Sequence, residues 1–148
     1  MSVSEKQGNV FDTQAQAITI PVNVFGVMGA GLAKACATRY PDAYYHYRRH
    51  CRKGAMTLDR LWVYTPSGET RQLIFVPTKH HWREDSDVDQ LRRCIEGLAR
   101  LADHHHYSVV AMVALGCGHG GLDINTDLKP MIGDYLKPLT TEFELWRH

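Results

Sequence analysis

The chain has 148 residues, of which 44% are hydrophobic and 22% charged, and its formal net charge is +1. This length predicts a single domain over residues 1–148 with a core of its own. The near-neutral charge excludes a general electrostatic attraction to nucleic acid, although it is compatible with a local basic patch. No apolar run is long enough to span a membrane and residues 1–10 lack the apolar segment of a signal peptide, so we expect a cytoplasmic protein.

The first half of the chain predicts a short edge strand, a buried strand, two helices and a hairpin, in that order. Pro21 lacks an N–H group, so the buried strand is expected to end or bulge there. Pro41 suits the first turn of the second helix. The predicted ranges are 8–11, 15–24, 28–40, 41–51 and, for the two strands of the hairpin, 60–65 and 72–77.

The second half predicts a long amphipathic helix, a buried strand, another helix and a last short strand. The long helix begins at Ser86, and Asp123 or Asn125 is a plausible cap for the later one. Alternating strands and helices indicate a three-layer α/β/α domain with a mixed, mostly parallel sheet and helices on both faces. The apolar stripe of the long helix comprises Val88, Leu91, Ile95, Leu98 and Leu101, and the later elements span 107–115, 123–136 and 142–146.

Two glycine-rich stretches, residues 26–33 and 115–123, each follow a predicted strand and precede a predicted helix. Glycine lets backbone N–H groups approach a phosphate closely, and a helix N-terminus carries partial positive charge. Loops at the carboxyl ends of strands converge on one crevice in this class of fold. Together they indicate a ligand with two phosphates, or with one phosphate and a sugar.

Three polar side chains near these loops are candidates for chemistry. Asn23 ends the second strand, where its amide suits a sugar hydroxyl or caps the local backbone equally well. Lys79 follows an apolar strand, so it is either a nucleophile or base at the mouth of a site or a solvated surface lysine. His119 lies inside the second loop, where it either transfers protons or is simply exposed.

Other conspicuous residues have simpler explanations. The four cysteines are scattered without a CxxC pair and the clustered histidines lack a carboxylate pattern, so we predict neither a zinc site nor a disulfide framework. Trp146 either stacks on a planar base or closes the core. A basic cluster near the end of the second helix is either a solvated face or a contact for a phosphate backbone, and it comprises Arg48, Arg49, Arg52 and Lys53.

Three segments occur in a specific order: PVNV with GVMGAG (21–24 and 26–31), FVPTKHHWR (75–83) and LGCGHGGLD (115–123). With them the chain resembles a macrodomain, the ADP-ribose-binding fold, over nearly its whole length. Within that family it is similar to the branch of the DarG-like DNA ADP-ribosyl glycohydrolase antitoxins and the terminal ADP-ribose glycohydrolase of vertebrates. The Thr-Lys and His-Trp-Arg residues of the second segment favour the DarG-like side.

The resemblance implies roles for individual residues. Asn23 would hold the distal ribose and Lys79 would be required for hydrolysis, with His119 as a weaker candidate for proton transfer. Trp146 stands where the family often has a tyrosine against the adenine. The residues expected to contact ADP-ribose are Asn23, Val27, Met28, Gly29, Ala30, Gly31, Thr78, Gly116, Cys117, Gly118, His119, Gly120, Gly121 and Trp146.

Four positions depart from the family pattern. Gln16 stands where many members have an adenine-binding aspartate, and Ile20 replaces an asparagine common in this branch. Ala30 replaces the usual lysine or glycine of the first loop. Gly120 replaces an aspartate of the vertebrate enzyme, so its two-residue mechanism is not expected here.

The expected function is hydrolysis of ADP-ribose from a macromolecule, with ADP-ribosylated DNA bases as the leading substrate. The alternatives are a non-catalytic ADP-ribose reader and a phosphatase acting on a phosphorylated ADP-ribose. We expect no cofactor and no metal, no membrane contact, and a monomer.

Overall fold

The structure, a computed structural model, describes residues 3–29, 31–81, 84–117 and 120–147. Within those residues six strands form one sheet, and three α-helices and a further helical segment flank it. The strands are β1 Val3–Gln7, β2 Ala17–Asn23, β3 Trp62–Tyr64, β4 Gln72–Lys79, β5 Val109–Met112 and β6 Glu142–Arg147. The helices are α1 Gly31–Arg39, α2 Pro41–Arg52 and α3 Val88–His105.

The further helical segment, α4, consists of three short turns in succession. A π-helical turn at Ile124–Leu128 is followed by an α-helical turn at Lys129–Met131 and a second π-helical turn at Ile132–Leu136. Asp123 caps it, as predicted, because its carboxylate accepts hydrogen bonds from the backbone N–H groups of Asn125 and Thr126. None of the helices in the described part of the chain has the length and apolar character needed to cross a bilayer.

The strand order is β1-β6-β5-β2-β4-β3, and every neighbouring pair is parallel except β3 with β4. This confirms the mixed, mostly parallel sheet. β2 pairs with β4 along its whole length but with β5 only at Ala17 and Ile18. The sheet is therefore unpaired between the carboxyl ends of β2 and β5, where both glycine loops emerge.

Two apolar cores lie on the two faces of the sheet. α3 packs on one face together with α4, through residues such as Leu98 and Leu136. α1 and α2 pack on the other, through Cys36 and Tyr47. Three residues in the middle of the predicted stripe, Leu91, Ile95 and Leu98, are buried, and the residues at its two ends, Val88 and Leu101, are half-buried. Helices therefore cover both faces of the sheet, which confirms the predicted three-layer architecture.

Two local predictions are wrong. The edge strand is Val3–Gln7, whereas residues 8–11 hold a turn and the start of a 3₁₀-helix at Val10–Asp12. β2 continues through Pro21 to Asn23, and its irregularity lies between Val22 and Asn23. Pro21 is tolerated because it lies beyond the short ladder with β5, where β2 pairs on one side only and resembles an edge.

Candidate functional site

The carboxyl ends of β2, β4 and β5 enclose a cleft of about 570 Å³. Asn23, Thr78 and Lys79 line it from the strands, and Gly29, Gly31, Gly116 and Gly120 line it from the two loops. The convergence predicted for the strand ends and both glycine loops is thus present.

A second cavity, of about 770 Å³, continues from this cleft. The two share Gly31 and Leu32 as lining residues, so they form one elongated depression with two ends. Lys79 lies at one end, which we call the lysine end, and Trp146 at the other, which we call the tryptophan end. A depression of this shape suits an elongated ligand with a different chemical group at each end.

Asn23 organises the first glycine loop. Its side-chain oxygen accepts hydrogen bonds from the N–H groups of Gly26 (2.9 Å) and Val27 (3.3 Å), and its amide nitrogen donates to the Val27 carbonyl (2.9 Å). Of the two roles predicted for Asn23, the structure therefore shows capping of the local backbone. The amide carries a second N–H, so a ribose role is compatible with the capping and stays a prediction.

Tyr47 of α2 supports that arrangement from below. The buried phenol donates to the backbone carbonyl of Asn23 at 2.5 Å and lies 3.2 Å from its side-chain oxygen. Burial is the main reason why the pKa of Tyr47 is raised, so the phenol remains a donor. The packing of α2 therefore fixes the shape of the first loop.

We expect Tyr47→Phe to lower the free energy of unfolding by about 1–3 kcal/mol, because a buried carbonyl loses its partner. Urea denaturation measures this. The control is Tyr45→Phe, since Tyr45 is 56% exposed and its hydroxyl accepts a hydrogen bond from the exposed side chain of Arg49. Equal stability of Tyr47→Phe and the unmodified protein would show that this hydrogen bond is not structural.

Lys79 is the last residue of β4 and pairs in register with Asn23 of β2. Its backbone carbonyl accepts from the N–H of Val24 at 3.2 Å, and its side chain is half-buried in the cleft lining. The neighbouring Thr78 is buried, with its hydroxyl 3.5 Å from the Val22 carbonyl. The lysine end thus carries a cation and an amide side by side on two paired strands.

The second glycine loop packs against Ser86, which precedes α3. The Ser86 N–H donates to the Gly120 carbonyl at 2.8 Å. A methyl group at Gly120 would lie 2.5 Å from the Ser86 hydroxyl oxygen and 3.1 Å from its Cβ. Any other residue at position 120 would therefore displace the Ser86 side chain or the loop.

Gly116 and Gly121 have positive φ values of 75° and 83°, which glycine adopts without strain. The hydroxyl of Ser86 is buried beside Gly116 and has no hydrogen-bond partner within the described chain. The sequence predicts Ser86 as the start of the long helix, but α3 begins two residues later, at Val88.

Cys117 is buried and lines the second cavity, not the lysine end of the cleft. Burial, and then the carboxylates of Asp127 and Asp123, raise the pKa of its thiol to about 11. The protonated thiol is a poor nucleophile, so Cys117 shapes the wall of the cavity. All four cysteines are free, and no group of three metal-binding side chains occurs in the described part of the chain.

The tryptophan end combines Trp146 with Asn9 and Phe11. Trp146 is half-buried, and its indole N–H donates to the carboxylate of Glu144 at 2.8 Å. One ring edge lies close to Gly8, where a Cβ would be 3.8 Å away. The indole therefore belongs to the cavity wall, as the stacking interpretation requires.

The expectation for Gln16 is wrong. Gln16 precedes β2, at the amino end of that strand and away from the cleft, and its side-chain oxygen accepts a hydrogen bond from the Ser108 N–H at 2.5 Å. Asn9 is instead a polar side chain at the tryptophan end, and it accepts a hydrogen bond from the Phe11 N–H at 2.9 Å. Sequence reasoning missed Asn9 because it placed a strand over residues 8–11.

Several predicted site residues have other outcomes. The side chain of Met28 is buried in the core beneath the first loop, whereas Val27 lines the cleft. Gly121 is exposed next to Asp85. Ala30, Gly118 and His119 lie outside the described residues, so their roles stay predictions.

The fold and the cleft define the class of this protein: a mostly parallel α/β domain with an elongated ligand cleft at the carboxyl edge of its sheet. A model of the Macro domain family matches residues 20–129. The chain therefore belongs to the Macro domain family.

The comparisons also identify similar individual proteins. A DNA ADP-ribosyl glycohydrolase of Thermus aquaticus is 31% identical over 118 residues, which are 78% of this chain and 33% of that protein. The macrodomain of Mycobacterium tuberculosis DarG has a TM-score of 0.91 at 25% identity, covering 99% of this chain and 97% of that one. The macrodomain of T. aquaticus DarG has a TM-score of 0.87 at 29% identity, covering 97% and 95%. This chain thus spans about a third of the curated relative's length.

Proposed function

We propose that this macrodomain binds ADP-ribose and hydrolyses the bond between ADP-ribose and a DNA base. The observation that carries the proposal is the single elongated cleft, with Asn23 and Lys79 at one end and Trp146 at the other. Supporting it, the similar Thermus aquaticus protein is named a DNA ADP-ribosyl glycohydrolase.

The two glycine loops would hold the diphosphate between those ends. The N–H groups of Gly26 and Val27 already donate to the side chain of Asn23, so other groups must donate hydrogen bonds to the diphosphate. The first N–H groups of α1, which begins at Gly31, have no partners within the helix and are suited to an anion. Ser86 lines the cleft beneath the facing loop, and its buried hydroxyl has no hydrogen-bond partner among the described residues.

Hydrolysis breaks the C–N bond at the anomeric carbon of the distal ribose, and water supplies the hydroxyl that replaces the base. The transition state resembles an oxocarbenium ion, with positive charge on the sugar. Lys79 either attacks the anomeric carbon covalently or assists proton transfer to the departing base, and His119 is a weaker candidate for that transfer. Asn23 fixes the ribose so that the reacting atoms stay aligned.

Trp146 is the proposed stacking surface for the adenine. Base–aromatic stacking is worth about 1–3 kcal/mol by alanine substitution. We therefore expect Trp146→Ala to weaken ADP-ribose by about 5- to 150-fold and ribose 5-phosphate hardly at all, as measured by calorimetry. Trp62→Ala, on the opposite edge of the sheet, is the matched control. Equal losses for both ligands would show that Trp146 serves only the packing of β6.

The proposal is tested by one assay with three substrates. The protein is incubated in parallel with ADP-ribosylated single-stranded DNA, an ADP-ribosylated protein and ADP-ribose 1''-phosphate, and products are identified by mass spectrometry. We expect release of free ADP-ribose and unmodified DNA. Phosphate release alone would make the protein a phosphatase, and tight binding without any turnover would make it a reader.

A further inference from the structure

A second groove lies away from the ADP-ribose cleft, between α2 and the edge strand β3. It has a volume of about 300 Å³, and its lining holds basic and aromatic side chains without a carboxylate: His46, Arg49, His50, Lys53, Trp62 and Tyr64. Asp42 contacts the hydroxyl of Tyr64 at 2.8 Å from outside this lining. We call this the α2/β3 groove.

Positive charge is concentrated around the groove although the whole chain carries only +1. Arg48, Arg49, Arg52 and Lys53 fall within six consecutive residues and are all exposed. The ion pairs found in the described part of the chain involve Arg92, Lys129 and Arg147, and none involves these four. The charge of this patch is therefore available to an anionic partner.

The floor of the groove is a continuous set of contacting rings, in which Trp62 stacks on Phe75 beneath it, with centroids 5.1 Å apart. His50 stacks on Trp62 with centroids 4.6 Å apart and planes at 14°, and Trp62 contacts Tyr64 at 5.5 Å. His46 lies 5.2 Å from Tyr64. Burial, and then Lys53 and Arg60, lower the pKa of His50, so its ring is neutral at pH 7. Aromatic rings beside cations suit bases and phosphates presented together.

The buried side of α2 connects this groove to the lysine end of the cleft. Tyr47 holds Asn23, and Cys51 packs under Gly26, where a Cβ would lie 3.4 Å away. Phe25, in the same loop, is 58% exposed and contacts the ring of His81, with centroids 4.7 Å apart and planes tilted at 53°. A polymer leaving the lysine end thus meets the exposed ring of Phe25 next to the helix that bears the cations.

We propose that the α2/β3 groove binds the single-stranded DNA that flanks the ADP-ribosylated base. The proposal deepens the proposed function, because it rests on DNA being the substrate. The cations would neutralise backbone phosphates and the rings would stack on one or two bases, without sequence preference.

The test measures binding of an unmodified, fluorescent single strand of about 12 nucleotides by anisotropy over a range of salt concentrations. Each phosphate contact contributes about 0.7 to the slope of log K against log salt for single strands. We expect Arg49→Gln with Lys53→Gln to reduce the slope by about 1.4 and to leave the affinity for ADP-ribose unchanged. The control, Arg92→Gln with Arg100→Gln on α3, has the same charge change and should behave as the unmodified protein.

A second readout does not depend on the charge variant. The strand should quench tryptophan fluorescence in the unmodified protein, and Trp62→Phe should remove most of that quenching. An unchanged slope in the groove variant, an equal loss in the control, or no DNA binding at low salt would overturn the proposal. The proposed function fails separately if the protein binds the strand but releases no ADP-ribose from modified DNA.

Discussion

Lys79→Ala is expected to reduce the rate of ADP-ribose release from DNA by about 10²- to 10⁴-fold, the usual contribution of a positioned acid or base. Affinity for free ADP-ribose should stay nearly unchanged. The reason is that Lys79 lies at the end of β4, level with Asn23, where the anomeric carbon of the distal ribose would be placed. An interaction made only in the transition state changes kcat and not ground-state binding.

The matched control for this prediction is Lys137→Ala. Lys137 is exposed at the end of α4 and belongs to neither end of the cleft. Single-turnover kinetics with ADP-ribosylated DNA and calorimetry with ADP-ribose give the two quantities. Turnover of Lys79→Ala at the rate of the unmodified protein would overturn the mechanism and make His119 the next residue to test.

The second large effect is expected at Gly120. A methyl group there would lie 2.5 Å from the hydroxyl oxygen of Ser86 and 3.1 Å from its Cβ, so the Ser86 side chain must rotate and the loop or the start of α3 must give way slightly. Overpacking of this kind costs about 1–3 kcal/mol. If the shift displaces the loop from the diphosphate, Gly120→Ala weakens ADP-ribose by about 5- to 150-fold.

Adding Ser86→Gly should restore part of the affinity lost in Gly120→Ala, because it removes both atoms that the new methyl group meets. Gly133→Ala is the control, since a Cβ at that position has no neighbour within 4 Å. Calorimetry measures all four proteins. Unchanged affinity in Gly120→Ala would mean that the second loop does not hold the ligand, and a loss without rescue would mean that Ser86 is not the cause.

The local signals in the sequence were sufficient for most of the architecture. The β-branched run before Asn23 and the apolar stripe from Leu91 to Leu98 have the periodicities of a buried strand and of a helix packed on one face. Both glycine loops follow strands, which was enough to place them on one crevice. Asn23, Thr78 and Lys79 could be found in the same way, because each ends a strand.

The parts that could not be predicted depend on contacts between distant segments. β1 is a strand because it pairs with β6, more than 130 residues later, and its own sequence is too polar to show this. Asn9 lies at the tryptophan end because it follows β1, which is held by that pairing. Gln16 lies away from the cleft, where it is bonded to the Ser108 N–H. The contact between Ser86 and Gly120 joins two loops, and no sequence pattern encodes it.

The most direct test of the account is a calorimetric titration of the unmodified protein with ADP-ribose, with AMP and ribose 5-phosphate titrated alongside. If one cleft holds the adenine at Trp146 and the distal ribose at Asn23, ADP-ribose binds at one site per chain and more tightly than either fragment. Absence of ADP-ribose binding, or AMP binding with the same affinity as ADP-ribose, would contradict the account.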